Sequence, residues 1–252
     1  MADRRLRLLS ANIQAGSSTR GYGDYIARSW SHVLPAGNKR GSLDTIARLA
    51  AGYDIVGLNE SDPGSLRSGF VCQTHYLAQR GGFPYWSHQP NRRVGGVASS
   101  ANGILSKIEP REVHDHPLPG RMGGRGVLVA RFGEGDEALT IAVAHLSLGA
   151  SSRASQLAFI AELLEGHAHA VLMGDFNCTL EQPEMQRLFQ RTRLRPPADV
   201  VPTFPSWAPQ RAIDHILVGD GLRCGGLQAM PAAFSDHLAV ALDLEVPDRC
   251  MQ

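Results

Sequence analysis

The amino-acid sequence predicts an α/β protein in which two β-sheets pack against each other and helices flank them. Eight apolar segments rich in β-type residues are typical of strands, whereas three segments have apolar residues at helical spacing. Several predicted strands follow one another directly, which favours packed sheets over a doubly wound sheet. No linker of sufficient length divides residues 1–252, so we expect a single domain.

The first half of the chain contains three predicted strands and two predicted helices. Apolar runs predict strands in LRLLSAN (6–12), DIVGLNE (54–60) and NGILSKI (102–108). Apolar residues at helical spacing predict helices in SLDTIARLAA (42–51) and VCQTHYLAQRG (71–81). Segments 13–41 and 87–101 have no regular pattern and are expected to be long loops, which in a compact domain are more often functional than accidental.

The second half of the chain contains five predicted strands and one helix. The strands are GVLVARF (126–132), LTIAVAHL (139–146), HAVLMGDF (169–176), AIDHILVG (212–219) and HLAVALDLEV (237–246). The helix is SSRASQLAFIAELLEG (151–166), which has apolar residues at helical spacing. Segment 196–211 is a third expected loop.

Composition limits the classes of protein that the chain can represent. A hydrophobic fraction of 43% allows a sizeable core, and a net charge of +1 argues against a surface that binds polyanions everywhere but permits a local basic face. The four cysteines form no CxxC pair and have no spacing from histidine that suits zinc. No signal peptide or transmembrane run is apparent, so we expect a reduced, cytoplasmic protein.

Polar residues that can bind a metal or a phosphate recur at the ends of predicted strands. They are Asn12, Glu60, His145, Asp175 with Asn177, and Asp236 with His237. Each has an ordinary alternative, such as a turn residue, a solvated strand end or a hydrogen-bonded core histidine. Asp214 lies within the apolar strand AIDHILV and is harder to explain, because a buried carboxylate is costly without a partner.

The segment VLMGDFNCTL (171–180) places Asp175 and Asn177 where a buried strand leaves the core. In an extended segment these two side chains would point to the same side and could act on one substrate atom. Alternatively they form a turn, for which Asp and Asn are common residues, and taken alone this motif favours the turn.

Seven motifs in order resemble the endonuclease/exonuclease/phosphatase superfamily of metal-dependent phosphoester hydrolases. They are SANIQ, DIVGLNE, ANGILS, AHLSLGASSRASQ, GDFN, IDHILV and SDHLAV, and they span residues 10–240. The resemblance implies a four-layer α/β sandwich of two packed mixed sheets with helices outside, and an active site at one end of it. GDFN or SDH alone would be weak, but every acidic and histidine position of the pattern is filled.

The resemblance implies a divalent cation, Mg²⁺ or alternatively Mn²⁺, and assigns its ligands. Glu60 is implied to be the principal ligand, since a hard cation favours carboxylate oxygen. Asn12 would help to hold the cation or the phosphate, and Asp236 is a candidate second ligand.

The same resemblance implies the catalytic roles. Asp175 would orient or deprotonate the attacking water, and Asn177 would fix that water or a phosphoryl oxygen. His237 would donate to a non-bridging oxygen, with Asp214 holding its tautomer and its charge. His145 resembles a histidine that binds the leaving group or the phosphate in some branches.

Substrate-binding residues are implied less directly. Asn102 resembles a phosphate-contacting asparagine of the superfamily. Arg92, Arg93, Arg125 and Trp207 belong to basic and aromatic loops that suit phosphate contacts and base stacking, although arginines on ordinary solvated loops look the same.

Further basic and aromatic residues of this kind are Arg20, Tyr22, Tyr25, Arg28, Trp30, Lys39, Arg40, His88, Arg121, Phe204 and Arg211.

We therefore expect a Mg²⁺-dependent phosphodiester hydrolase whose partner is an anionic phosphodiester, with a nuclease favoured. Gln14 and His145 depart from the pattern of abasic-site endonucleases and argue against that specificity. The alternatives are a phosphodiesterase or phosphatase that acts on a phospholipid headgroup or small phosphorylated metabolite, and a non-catalytic module that binds anionic ligands. No protein partner is evident from the sequence.

Overall fold

Two packed β-sheets dominate the computed structural model, which describes residues 3–13, 39–65, 68–94, 98–120, 124–230 and 235–252. In chain order the described elements are β1 (Arg4–Asn12), α1 (Lys39–Ala50), β2 (Ile55–Ser61), α2 (Gln73–Gly81), β3 (Tyr85–Val94), β4 (Ala98–Ser106), β5 (Glu112–Pro117), β6 (Gly126–Phe132), β7 (Leu139–His145), α3 (Ala150–Leu163), β8 (Ala170–Asp175), α4 (Pro183–Arg191), β9 (Leu194–Arg195), β10 (Asp214–Gly219), β11 (Arg223–Cys224), β12 (Gln228–Met230), β13 (Ala239–Val246) and a C-terminal 3-10 helix (Asp248–Met251). Among these described helices, none is both long enough and apolar enough to cross a membrane.

Both sheets are mixed. The first has the strand order β11-β13-β1-β2-β4-β3, with β12 also paired to β13, and the second has the order β5-β6-β7-β8-β10-β9. β1 and β2 are parallel in the first sheet, and β7 and β8 are parallel in the second, while their other neighbours are antiparallel. In each parallel pair the two strands therefore end at the same edge of their sheet.

Alternating side chains of the central strands build three apolar layers. In β1, Leu6 and Leu8 enter the layer between the sheets, whereas Leu9 packs on the opposite face with residues of α1 and α2. In β8, Met173 faces the other sheet and Leu172 packs with α3 and α4. Strands covered on both faces consist of nearly continuous apolar residues, as the sequence shows. The predicted four-layer α/β sandwich is confirmed.

Each of the eight predicted strands has a counterpart in the structure, and three longer elements were not predicted. Segment 87–101 was expected to be a loop, but its described residues belong to β3 and β4. That expectation was wrong because Pro90, a register shift and three consecutive polar residues interrupt any alternating pattern. β5 has exposed or half-exposed residues throughout, so it gives no apolar signal, and α4 is only nine residues long.

The predicted helices at 42–51, 71–81 and 151–166 correspond to α1, α2 and α3, with ends shifted by a few residues. The expected loop at 196–211 does lack regular strands or helices in the structure. Most of the expected loop at 13–41 lies outside the described residues, and so do its arginines and aromatics at positions 20–30. The side chains of Lys39 and Arg40 lie outside them as well.

Gly57 in the middle of β2 sets the distance between the two sheets. A Cβ atom at this position would lie 2.9 Å from Cε of Met173 and 3.0 Å from Cγ2 of Val143, both in the facing sheet. These are core atoms in a close-packed interior, where added volume forces strain.

We predict that Gly57→Val lowers the free energy of unfolding by about 1–3 kcal/mol, because it overpacks the layer between the sheets. Valine otherwise favours strands, so the loss would report on sheet spacing and not on strand propensity. Thermal and urea denaturation measure it. Gly225→Val is the matched control, since the nearest atom to a Cβ there is 3.8 Å away. Equal stability of the two variants would contradict this reading.

Candidate active site

Strand ends from both sheets bring one group of polar side chains together. Asn12 and Glu60 come from β1 and β2 of the first sheet, while His145 and Asp175 come from β7 and β8 of the second. The Asn12 amide donates a 3.0 Å hydrogen bond to Oδ2 of Asp175, so the two sheets are joined at this end. The residues that the sequence placed at separate strand ends therefore form one site.

Asp175 lies at the centre of this site, and its side chain is only 2% exposed. Its Oδ2 atom is 3.4 Å from Nε2 of His145 and 3.9 Å from Nε2 of His237. Nε2 of His145 also lies 3.9 Å from the Glu60 carboxylate. One oxygen of Asp175 thus faces an amide and two imidazoles.

The other oxygen of Asp175 accepts the hydrogen bond that closes a turn. Its Oδ1 accepts a 2.9 Å hydrogen bond from the backbone N–H of Asn177, which has a φ of 54°. The chain has therefore left the strand at Asn177, and of the two alternatives for this motif the structure has the turn. The Asn177 amide turns back and donates to the carbonyl of Leu146 at 2.9 Å. The turn and the site use different oxygens of the same carboxylate.

Asp214 has the hydrogen-bond partners that a carboxylate inside an apolar strand requires. Nδ1 of His237 donates to its Oδ2 at 2.8 Å, and the Thr203 hydroxyl donates to the same oxygen at 2.6 Å. Asp214 stands opposite Asp175 in the β8–β10 ladder, which brings this pair beside the central carboxylate. Phe204 covers the His237 ring, with centroids 5.0 Å apart.

These surroundings set opposite protonation states for the two histidines. Burial disfavours charge on His237, but the carboxylates of Asp214 and Asp175 outweigh it and raise its pKa to about 10. Burial lowers the pKa of His145 well below its ordinary value, and the charges of Arg125 and His237 lower it further. At neutral pH His237 is therefore an imidazolium and His145 is a neutral imidazole.

Burial also raises the pKa of Asp175, to about 7, against the opposing charge of His237. The carboxylates of Asp214 and Glu60 add to the rise. A carboxylate with a pKa near the working pH is suited to take a proton from water, because it is ionised yet basic.

Glu60 has the geometry of a residue turned out of its strand. It has a φ of 58°, and the β2–β4 pairing shifts register between Leu58 and Ser61. Such a bulge re-aims a side chain and often lies beside an active site. The Glu60 side chain is 36% exposed, in contrast to the buried Asp175.

The donor set around Glu60 fits a hard divalent cation. Burial, opposed by His237, raises the pKa of Asp236, and the Glu60 carboxylate raises it further, so three carboxylates concentrate negative charge here. A cation beside them would offset this charge, and carboxylate and amide oxygens are the ligands that Mg²⁺ accepts. Glu60, Asp236 and Asn12 stay the predicted ligands of such a cation.

Asp175, Asp214 and His237 also have possible ligand atoms within 4.8 Å of one another. We do not interpret them as a metal centre, because Nδ1 of His237 already donates to Asp214 and both carboxylates are buried beside a charged imidazole. This arrangement keeps a proton on His237. The Glu60 carboxylate, in contrast, is exposed to solvent, where a cation can reach it.

Asn59 is a site residue that sequence reasoning missed. The side-chain oxygen of Asn59, Oδ1, accepts a 2.9 Å hydrogen bond from the backbone N–H of Asp175. Its side-chain nitrogen, Nδ2, donates to Oδ1 of Asn102 at 2.9 Å and to the backbone carbonyl of Ala144 at 3.2 Å. The signal in the sequence was an asparagine directly before Glu60 in the apolar run DIVGLNE, and the structure shows that its side chain is fully buried. Thr203 was also missed, and its position in a loop gives no sequence signal.

Asn102 is fully buried, in contrast to the direct phosphate contact that the resemblance implies. Its amide donates to the carbonyl of Gly126 at 2.7 Å, and its oxygen accepts from Asn59. Gln89 lies beside it and donates to the carbonyl of His116 at 3.0 Å. In this structure Asn102 therefore supports Asn59, and its contact with phosphate stays a prediction.

The other predicted substrate-binding residues are placed unequally. Arg125 is near enough to His145 to lower its pKa, and Trp207 is half-buried in the loop after Thr203. The backbone of that loop is tied to the site, since the N–H of Ser206 donates to the carbonyl of Asp236 at 2.7 Å. The side chains of Arg92 and Arg93, in β3, lie outside the described residues, as do Arg121 and Gln14.

Comparisons with known proteins identify a matching sequence family and several similar structures. A sequence model of the Endonuclease/Exonuclease/phosphatase family matches residues 9–237. An endonuclease/exonuclease/phosphatase from Beutenbergia cavernae is similar in structure with a TM-score of 0.74 and 20% identity, over 96% of this chain and 72% of that chain. Comparison with curated proteins finds no match.

Two other similar structures carry more specific descriptions. A mannosyl-6-phosphatase from Bacteroides thetaiotaomicron has a TM-score of 0.65 and 17% identity, over 95% of this chain and 99% of that chain. The beta toxin of Staphylococcus aureus has a TM-score of 0.65 and 16% identity, over 94% of this chain and 99% of that chain. At these identities the likeness shows the fold alone.

We predict that Asp214→Asn lowers the pKa of His237 from about 10 toward the ordinary histidine value, because burial is then opposed by one carboxylate fewer. Titration of the imidazole signals by NMR measures this change. His167 is the internal control, since its pKa is lowered by burial and by Arg131. An unchanged pKa of His237 would show that Asp214 does not hold its charge.

Proposed function

Because the chain belongs to the endonuclease/exonuclease/phosphatase family, whose members are generally phosphoester hydrolases, we propose that it hydrolyses phosphodiester bonds with the help of Mg²⁺ or Mn²⁺. The observation that carries this proposal is the buried carboxylate of Asp175 beside a charged and a neutral imidazole. Hydrolysis requires a base for water and a donor for the phosphoryl oxygen, and these groups supply both.

In the proposed reaction Asp175 takes a proton from water as the water oxygen attacks phosphorus, and the bond to the leaving oxygen breaks on the opposite side. His237 donates a hydrogen bond from Nε2 to a non-bridging oxygen, where negative charge accumulates. His145, which is neutral, holds the leaving group or the phosphate by hydrogen bonding. Asn177 fixes the water or a phosphoryl oxygen through its amide group.

A bound divalent cation would supply positive charge that offsets the negative charge of the phosphate oxygens. Glu60 would be its principal ligand, with Asn12 and Asp236 beside it. Asp214 and Thr203 contribute at a distance, because they keep the His237 ring charged and oriented.

A nuclease remains our leading proposal for the substrate. Arg125 and Trp207 lie near the site and suit contacts to phosphate and to a base, respectively. The second candidate is a lipid headgroup or a small phosphorylated metabolite. The fold is compatible with it, since a mannosyl-6-phosphatase has a similar structure over nearly the whole of both chains.

We predict that Glu60→Gln and Asp175→Asn each lower turnover by about 10²-fold or more, since one removes the metal ligand and the other removes the base. Turnover is measured with Mg²⁺, with Mn²⁺ and with EDTA, on plasmid DNA, single-stranded RNA, bis-p-nitrophenyl phosphate, phospholipids and sugar phosphates. Asp243→Asn is the matched control, because Asp243 is exposed and pairs with Arg7 outside the site.

Nicking of plasmid that EDTA and both variants abolish would support the nuclease. Release from lipids or sugar phosphates alone would favour the second candidate. Turnover that survives EDTA, or full activity of Glu60→Gln, would refute the metal site, and metal binding without any turnover would indicate a non-catalytic module.

We predict a bell-shaped dependence of kcat on pH. The raised pKa of Asp175 means that this base is protonated, and inactive, below pH 7, or below a somewhat lower pH when a bound cation stabilises the carboxylate. Activity then falls again as pH rises through about 10, where His237 loses its proton. Single-turnover rates measure both limbs. His237→Gln should remove the alkaline limb and move the acidic limb to higher pH, because the charge of His237 lowers the pKa of Asp175. If the alkaline limb persists, His237 is not the donor.

A further inference from the structure

A second cluster of titratable side chains lies at the end of the sandwich that is opposite to the candidate active site. Glu137 precedes β7, His169 precedes β8, and Cys250 belongs to the C-terminal 3-10 helix. The strands β7 and β8 reach the candidate active site only at their other ends, with His145 and Asp175. The two clusters are therefore separated by the length of these strands.

The possible ligand atoms of this cluster lie close together. One carboxylate oxygen of Glu137, one ring nitrogen of His169 and the sulfur of Cys250 are all within 4.8 Å of one another. Nδ1 of His169 is 3.7 Å from Oε2 of Glu137. Donors around a tetrahedral zinc are separated by roughly 3.5 Å, as follows from the usual zinc–sulfur and zinc–nitrogen bond lengths. Only small movements would bring the three donors to that spacing.

His169 gives the cluster an independent indication of a ligand. Its side chain is 6% exposed, and Nδ1 is one of three buried side-chain atoms without a hydrogen-bond partner among the described residues. Buried polar atoms in folded proteins nearly always have a partner, so an orphaned imidazole nitrogen beside a thiol and a carboxylate requires one. A metal ion coordinated to Nδ1 would provide it.

We propose that Glu137, His169 and Cys250 form a zinc site that fastens the C-terminal turn to the second sheet. Thiolate, imidazole and carboxylate are the ligand types of zinc, whereas the oxygen donors around Glu60 suit a harder cation. Three protein ligands leave the fourth position to water. Binding releases the thiol proton of Cys250 to solvent and forms a bond between zinc and sulfur.

The surroundings of the cluster suit this structural role. Nε of Arg249 donates to Oε2 of Glu137 at 2.9 Å, and ligating carboxylates commonly accept such a second hydrogen bond. The carboxylate and the thiolate together neutralise Zn²⁺, so the charge of Arg249 is the single positive charge that this group retains. The C-terminal turn already contacts the loop before β7, since the N–H of Glu134 donates to the carbonyl of Gln252 at 2.8 Å. Zinc would add a bond to an existing contact.

The sequence alone could not indicate this site. The spacing from residue 137 to residues 169 and 250 matches no zinc motif, and only the fold brings the three residues together. The expectation that the cysteines have no spacing suited to zinc was correct for the linear sequence and does not apply to their positions in space.

Titration of the EDTA-treated protein with Co²⁺ and then with Zn²⁺ tests the proposal. Bound Co²⁺ should give a near-ultraviolet sulfur-to-metal charge-transfer band, which zinc then removes by displacement. Oxygen ligands at the site around Glu60 cannot produce this band, so failure of either proposal is distinguishable from failure of the other. Cys250→Ser should abolish the band, while Cys224→Ser, at an exposed cysteine, should keep it.

Glu137→Gln is the second variant, because Glu137 is exposed and its replacement leaves the core intact. It should weaken zinc binding roughly ten-fold or more, and Zn²⁺ should raise the Tm of the wild type but not that of Cys250→Ser. Absence of the band in the wild type would overturn the proposal. So would a band that survives Cys250→Ser, or zinc affinity that is unchanged in Glu137→Gln.

Discussion

The amide of Asn59 is the interaction on which the candidate active site depends. It accepts from the backbone of Asp175 in the second sheet, donates to the carbonyl of Ala144 there, and is fixed in orientation by Asn102. Gly174 leaves room for the Asn59 side chain. A Cβ atom at position 174 would lie 1.9 Å from the backbone oxygen of Ala144 and 3.0 Å from the side-chain oxygen of Asn59. The glycine of the GDFN motif therefore has a steric reason. The central carboxylate is placed by hydrogen bonds between a buried side chain of one sheet and the backbone of the other, so its position depends on the core and not on a flexible loop.

Two buried histidines in the same site hold different charges because their neighbours differ. His237 is beside two carboxylates, and Asp214 accepts directly from its Nδ1. His145 is beside Asp175 and Glu60 at longer distances, and it is also near two positive groups, Arg125 and His237. Burial penalises a charged imidazole in both places, so the outcome is decided by whether a carboxylate is in direct contact. The division of labour in the proposed reaction follows from this difference.

The sequence predicts the covered strands well and the edges poorly. β7 and β8 are buried along their whole length, so their apolar runs identify them, whereas the exposed edge strand β5 has no such pattern. Residues with distinctive chemistry at strand ends, such as Glu60 and Asp175, were located from their motifs. Thr203 was not, because its role depends on a loop that folds back onto Asp214. Long-range contacts of this kind have no local periodicity or spacing, and the cluster around Cys250 is a further example.

The loop that carries Trp207 cannot adapt to a substrate independently of the catalytic groups. Thr203 at its start donates to Asp214, Phe204 packs on the His237 ring, and the N–H of Ser206 donates to the Asp236 carbonyl. A substrate that displaces Trp207 would pull on the residues that keep His237 charged and on the backbone beside a proposed metal ligand. Correct binding at this loop would instead hold the His237 ring against Asp214. In the proposed reaction, substrate binding at this loop and the donor role of His237 are therefore linked through these contacts, and a change in the loop should alter kcat together with KM.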